Sequence, residues 1–175
     1  LLSLDTKLNI SPVYLKQGFA FGGSCLPKDL KALNKIAGNI SVKLPLISSI
    51  TNSNELQKKL TYDLIKKLGM KKIGIWGLSF KIGTDDLRGS PILDVANMLI
   101  KNGFHVKLYD RNVEIKNLIG ANKSYLFKKL PNVRNLIVNN FNDLINHADV
   151  LVVNSYDKKM IKKIKNKKNC KIIDL

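Results

Sequence analysis

From Lys71 onward the chain alternates short apolar runs with amphipathic stretches, and this alternation constrains the fold more than any other feature. Lys72 to Trp76 reads as a buried strand, Pro91 to Lys101 as an amphipathic helix and His105 to Tyr109 as the next strand. Asn135 to Val138, Val150 to Val153 and Lys171 to Ile173 supply three more strands, with helices suggested near Phe141 to Ile145 and Lys158 to Lys165. A strand-helix-strand unit returns the chain to the same end of the sheet, so its strands run parallel. The expected fold is therefore α/β: a Rossmann-like, doubly wound parallel sheet that binds ligands at the carboxyl ends of its strands. Gly74, Gly77 and Gly83 do not make the G-x-G-x-x-G dinucleotide fingerprint, so a nucleoside diphosphate suits this sheet better than a dinucleotide.

Residues 1–69 read differently, as helices broken by loops. Asn9 to Gly23 is a loop rich in glycine and aromatic residues, and a helix follows through Leu30, Leu33 and Ile36 to Gly38. Pro45 opens a longer helix along which Ile50, Leu56, Leu60, Leu64 and Leu68 line one face, a stripe expected to be core, with Gly69 placed to end it. The organisation expected is a helical segment over 1–69 ahead of a sheet domain over 70–175.

The chemistry concentrates at Phe19-Ala20-Phe21-Gly22-Gly23-Ser24-Cys25-Leu26-Pro27-Lys28-Asp29. Pro27 and Asp29 suit the first turn of a helix, which puts Cys25 at its N-terminus. Unpaired amides there, with Lys28 close by, favour the reactive thiolate form of a cysteine. A buried, inert cysteine is the alternative, and the flanking glycines and the Pro-Lys-Asp start weigh against it. Lys81 follows the first strand between Gly77 and Gly83, where a long cationic side chain can reach a bound anion. Ser90 is expected to cap the next helix, with Pro91 at its first position. Asp85 and Asp86 read as turn carboxylates, with Asp86 able to position Arg88.

Charge and cysteine content exclude several classes. The 30 basic against 13 acidic residues give a formal charge of +17, but lysine dominates and is scattered over helix surfaces, as at Lys58-Lys59, Lys66-Lys67 and Lys71-Lys72. No arginine-rich or aromatic-interleaved surface accompanies it, so specific nucleic-acid binding is not expected. Two cysteines in a chain of 175 residues make no disulfide framework, which fits a reducing, cytoplasmic setting, and Cys170 reads as structural or incidental. His105 and His147 stand alone, so no metal site is expected. No apolar run approaches the length that spans a bilayer, and a membrane partner is not expected.

Gly18 to Asp29 resembles the catalytic-cysteine segment of the nucleotide-sugar 6-dehydrogenases of the UDP-glucose/GDP-mannose dehydrogenase family. Phe19-Ala20-Phe21 and Leu26-Pro27 resemble the GDP-mannose branch more than the UDP-glucose branch. Gly77-Leu78-Ser79-Phe80-Lys81, Gly83-Thr84-Asp85-Asp86-Leu87-Arg88 and Ser90-Pro91 are similar to the family's C-terminal signature, and Tyr109 to Glu114 and Gly120 to Lys123 add to the match. The family often carries glutamate where this chain has Gly89, and Gln17 stands where proline is expected.

The resemblance implies an NAD-dependent oxidation of GDP-mannose to GDP-mannuronate through a thioester on Cys25. The UDP-glucose 6-dehydrogenase reaction is the alternative. It implies Cys25 as the catalytic nucleophile, and Asp29 matches a carboxylate associated with the catalytic site, unless it serves only as a charge at the helix start. Lys28 and Arg88 would contact NAD. Tyr14, Lys16, Phe19, Gly22 and Lys81 would contact the nucleotide-sugar. The resemblance further implies a homodimer formed through the helical segment, and an NAD-binding domain ahead of Leu1. The chain is accordingly expected to be a fragment that lacks turnover alone and behaves as a nucleotide-binding and dimerisation module.

Overall fold

The computed structural model describes residues 4, 5, 7, 11, 18–81, 83–154, 164 and 170–175. Two helices, α1 (Leu26–Asn39) and α2 (Pro45–Lys67), precede the sheet unit. That unit runs β1 (Lys72–Trp76), α3 (Pro91–Lys101), β2 (His105–Tyr109), α4 (Gly120–Lys129), α5 (Val133–Leu136), α6 (Phe141–His147), β3 (Val150–Val153) and β4 (Lys171–Asp174). All pairings are parallel, in the order β2-β1-β3-β4, with Ile73 opposite Val106 on one side and Val150 on the other. The connections leave β1 and β3 in opposite directions, so the switch point expected of a doubly wound sheet lies between these two strands.

Both faces of the sheet are covered, which is why its central strands are buried without a break over residues 73–76 and 150–153 rather than at alternate positions. Ile73, Ile75, Val150 and Val152 join the larger core with Ile92, Leu93 and Leu99 of α3 and Leu126 of α4. Trp76, Leu151 and Val153 face the other way, onto Phe141 and Leu144 of α6. Ile65 of α2 is fully buried in the larger core, and Tyr62 meets Phe104 edge to face at 6.4 Å. The second half of α2 is thus packed against the sheet unit.

Three expectations are corrected. Asn135 to Val138 forms no strand: a helical turn closes there, with the Ile137 amide bonded to the Val133 carbonyl, and only Ile137 bridges to Leu108 at the outer edge of β2. The stripe on α2 is turned away from the core, since Leu56, Leu60 and Leu64 are about half exposed while Lys58, Thr61 and Ile65 are the buried residues. Lys58 is accordingly not a surface lysine. The helix expected over Lys158 to Lys165 lies outside the described residues apart from Ile164.

Lys58 illustrates why a cation can be buried. Its ammonium donates to Asp94 Oδ2 at 2.8 Å and Glu55 Oε1 at 2.7 Å, and Lys129 pairs with the other oxygen of Asp94. Burial opposes both charges, yet the hydrogen bonds outweigh it, so Lys58 is held above its ordinary pKa and Asp94 below its own. The network joins α2 to α3 and α4. Asp94→Asn is expected to cost about 2 to 3 kcal/mol, below the range for a fully sealed pair because Asp94 keeps some solvent contact. Lys58→Met should cost less, since Asp94 retains Lys129. Urea midpoints check the ranking. With the folded pKa of Asp94 depressed, its contribution is complete above about pH 4 and lost as pH falls through the folded value. Lys58, with its folded pKa raised, contributes fully below about pH 10 and loses this as pH rises further.

Candidate active site

The cysteine loop is fixed before α1 begins. Phe21 donates its amide to Asn54 Oδ1 at 2.8 Å and accepts at its carbonyl from Asn54 Nδ2 at 2.9 Å, which pins the loop to the middle of α2. Gly22 and Gly23 then pass against the turn that precedes α3. A Cβ on Gly22 would stand 2.2 Å from the Gly89 oxygen, and one on Gly89 would stand 2.6 Å from the Gly23 oxygen. Two backbones therefore meet where no side chain fits, and Gly89 does so at φ +65°, a conformation open to glycine. The Phe80 ring closes over Gly23. Glutamate at position 89 would meet the cysteine loop head on.

Cys25 sits at the start of α1, exposed and free, with its carbonyl accepting the first helical bond from the Asp29 amide at 2.9 Å. Pro27 lies in the first turn, as the sequence indicates. The helix itself gives the thiol little support, because only Leu30 and Ala37 of α1 are buried while Leu33 and Ile36 are exposed. The Ser24 hydroxyl lies 3.9 Å from Cys25 Sγ. Lys28 and Asp29 are exposed on the first turn, and neither side chain has a hydrogen-bond partner among the described residues.

Arg88 is brought to the cysteine by the Gly22–Gly89 contact. Its guanidinium donates from Nε to Asp86 Oδ1 at 2.9 Å and from a terminal nitrogen to Asp86 Oδ2 at 2.7 Å, a forked pair that fixes its plane. The bond to Asp86 pushes Arg88 above its ordinary pKa, and Cys25 adds a smaller contribution of the same sign across the loop. Asp86 is held below the usual carboxylate range, first by that bond to Arg88. Asp86 thus positions Arg88, as its spacing in the sequence allows.

Lys81 is exposed in the turn after β1, and its carbonyl accepts from the Ser79 and Thr84 hydroxyls at 2.9 Å and 2.8 Å. Asn122 braces the same turn from α4, accepting from the Leu87 amide and donating to the Asp85 carbonyl. Ser90 does not cap α3 through its side chain: buried, it donates its hydroxyl to the Leu78 carbonyl at 2.6 Å and ties the two ends of the turn together. Burial pushes the phenol of Tyr125, on α4, above its ordinary pKa.

The first turn of a dinucleotide-binding sheet cradles a pyrophosphate on its amides. Here Asp110 fills that role internally, accepting from the Leu78 amide at 2.6 Å, the Ser79 amide at 3.3 Å and the Asn112 amide at 2.9 Å. The sheet unit therefore does not offer a dinucleotide this seat. Lys28 and Arg88, exposed cations beside Cys25, do fit the phosphates of an anionic cofactor approaching from outside the sheet.

Phe19 lines a cleft of about 430 Å³ with Phe21, Ile50 and Asn54, next to the cysteine loop. Tyr14 and Lys16 lie outside the described residues. The structure thus gathers Cys25, Lys28, Asp29, Gly22, Phe19 and Arg88 around one loop, with Lys81 on the turn that carries Phe80. Asn54 was missed by sequence reasoning, and Gly89 and Asp110 were noted there only within the family match, without the contacts they make. Asn54 had one signal, a poor helix former in the middle of a long helix. Among the described residues, no helix is long and apolar enough to cross a membrane.

Comparison with known proteins identifies relatives of the chain as a whole. Residues 74–175 match the UDP binding domain model of the UDP-glucose/GDP-mannose dehydrogenase family, and residues 2–56 match the family's central domain model. The chain is 43% identical over 172 residues to the GDP-mannose 6-dehydrogenase of Pseudomonas aeruginosa, covering 98% of this chain and 39% of that protein. It is 44% identical over 173 residues to the Azotobacter vinelandii GDP-mannose 6-dehydrogenase, covering 98% of this chain and 40% of the relative. A crystal structure of a ternary complex of the Pseudomonas aeruginosa GDP-mannose dehydrogenase superposes with a TM-score of 0.85 at 42% identity, over 98% of this chain and 39% of that one. The chain thus spans about two fifths of the length of the curated relatives it matches.

Proposed function

The chain belongs to the UDP-glucose/GDP-mannose dehydrogenase family, and on that premise we propose that it forms the central and C-terminal part of a GDP-mannose 6-dehydrogenase. The observation that carries this reading is Cys25 at a helix start, exposed and held by backbone contact beside Arg88. Cys25 adds as thiolate to the C6 aldehyde of the sugar and retains the acyl group as a thioester until water releases the carboxylate. NAD, when bound, supplies the hydride acceptor for the oxidations at C6. Lys28 and Arg88 hold its phosphates and keep the site electropositive. Asp29 orients water or a proton at the acyl carbon. Lys81, Phe19, Gly22, Tyr14 and Lys16 hold the nucleotide-sugar, the cations meeting phosphate and the rings meeting base or sugar.

The residues that complete the catalytic set belong to an NAD-binding portion outside this chain, a view supported by the share of the relatives that the chain spans. The exposed apolar residues of α1 and α2, among them Leu33, Ile36, Leu56 and Leu60, support a homodimer through the helical segment. The low cysteine content, two in 175 residues, supports a cytoplasmic setting.

Calorimetric titration of the chain with each nucleotide-sugar tests the substrate. GDP-mannose is expected to bind at least about tenfold more tightly than UDP-glucose, a difference of about 1.4 kcal/mol, and Lys81→Ala to weaken it. Tighter binding of UDP-glucose would move the chain to the UDP-glucose branch. Absence of binding by either would remove the nucleotide-sugar from this part of the enzyme.

A further inference from the structure

α1 is poorly anchored, with Leu30 and Ala37 its only buried residues, so its own packing does not fix where its first residue sits. The position of Cys25 must come from the segment that enters the helix. That segment is held at two points. Gly22 and Gly23 are wedged against Gly89, Pro91 and Phe80, a contact of shape alone. Phe21 is held by hydrogen bonds in both directions, its amide to Asn54 Oδ1 and its carbonyl to Asn54 Nδ2. Asn54 is partly buried in the interior of α2, a setting in which asparagine weakens a helix unless its side chain is used elsewhere. Its amide matches the backbone donor and acceptor of one residue as a neighbouring strand would.

We propose that Asn54 is a positioning residue for Cys25. By clamping Phe21 it fixes the entry to α1 and keeps the thiol at the helix start, on the loop that packs against the Gly89 turn. The role of Cys25 as nucleophile rests on the function proposed above; the clamp acts on the loop whatever the substrate. Without Asn54 the loop keeps the glycine contact and the packing of Phe19 on the core but loses its bonded hold at Phe21, and the thiol samples positions away from the cations and helix amides, where a cysteine reacts more slowly.

The test is alkylation of the chain by iodoacetamide, followed at Cys25 by peptide-resolved mass spectrometry across pH, with circular dichroism reporting the fold. Cys25 of the wild type is expected to react faster than glutathione. Asn54→Ala should lower the Cys25 rate at pH 7 by about threefold or more and displace its pH profile, a change that loss of stability alone does not produce in a folded protein. Asn54→Asp keeps the acceptor for the Phe21 amide but loses the donor, and its rate should fall between the two. A wild-type rate and profile in whichever variant stays folded overturns the proposal. Because alkylation needs no nucleotide-sugar, failure to bind GDP-mannose with the alkylation ranking intact would sink the proposed substrate and leave the role of Asn54 standing.

Discussion

Cys25→Ser is expected to lower NAD reduction with GDP-mannose by about a thousandfold or more, because a serine hydroxyl is a far weaker nucleophile than a thiolate. The measurement uses a chimera in which this chain replaces the matching segment of the Pseudomonas aeruginosa enzyme, to which it is 43% identical. The substitution should leave the fold untouched. Cys25 makes no side-chain cap to α1, its thiol is exposed, and serine is among the residues preferred at a helix start. Activity and stability are therefore expected to separate: turnover collapses while the urea midpoint of the isolated chain stays equal or rises slightly. Retention of more than about a tenth of the activity would rule out a covalent role for Cys25.

Gly22→Ala carries the next largest effect, on structure rather than chemistry. The new methyl would lie 2.2 Å from the Gly89 oxygen and 2.8 Å from Pro91 Cδ. Neither neighbour can rotate away, one being backbone and the other a ring at the first turn of α3, so the cysteine loop or the Arg88 turn has to move. A loss of about 1 to 3 kcal/mol is expected, as for other overpacked sites. Cys25 alkylation should slow as the thiol parts from Arg88. Gly18→Ala is the control, since a methyl there meets nothing within 4 Å. It should be neutral, or stabilise by up to about 1 kcal/mol through the unfolded chain. Equal urea midpoints for the two variants would mean that the Gly22–Gly89 contact does not hold the loop.

The strands β1, β2 and β3 were legible end to end because β1 and β3 are short apolar runs and β2 alternates apolar with polar residues, patterns with few alternatives once helices separate them. Helix α3 was equally clear, with Pro91 at its start. The segment around Asn135 was misread because its apolar residues suit a strand as well as a helical turn, and the choice depends on whether an edge of the sheet is free to receive it. The stripe on α2 was periodic in the sequence, but periodicity cannot tell which face a helix buries when the other face carries a lysine. Asp94 decided that by giving Lys58 a partner across the interface.

The candidate site divides in the same way. Local sequence sufficed for Cys25 at a helix start, for Lys28 and Asp29 on the first turn, and for Asp86 beside Arg88, since each relation spans a few residues along the chain. Contacts between distant segments were decided only by the tertiary structure: Asn54 on Phe21, Gly89 against Gly22 and Asp110 on the amides after β1. Backbone groups carry most of those contacts, and every residue has the same ones, so the sequence holds little record of which will meet. The order of strands and helices followed from the chain's own pattern of apolar residues; the seat of the thiol beside a cation followed from two backbones packed too closely for any residue but glycine.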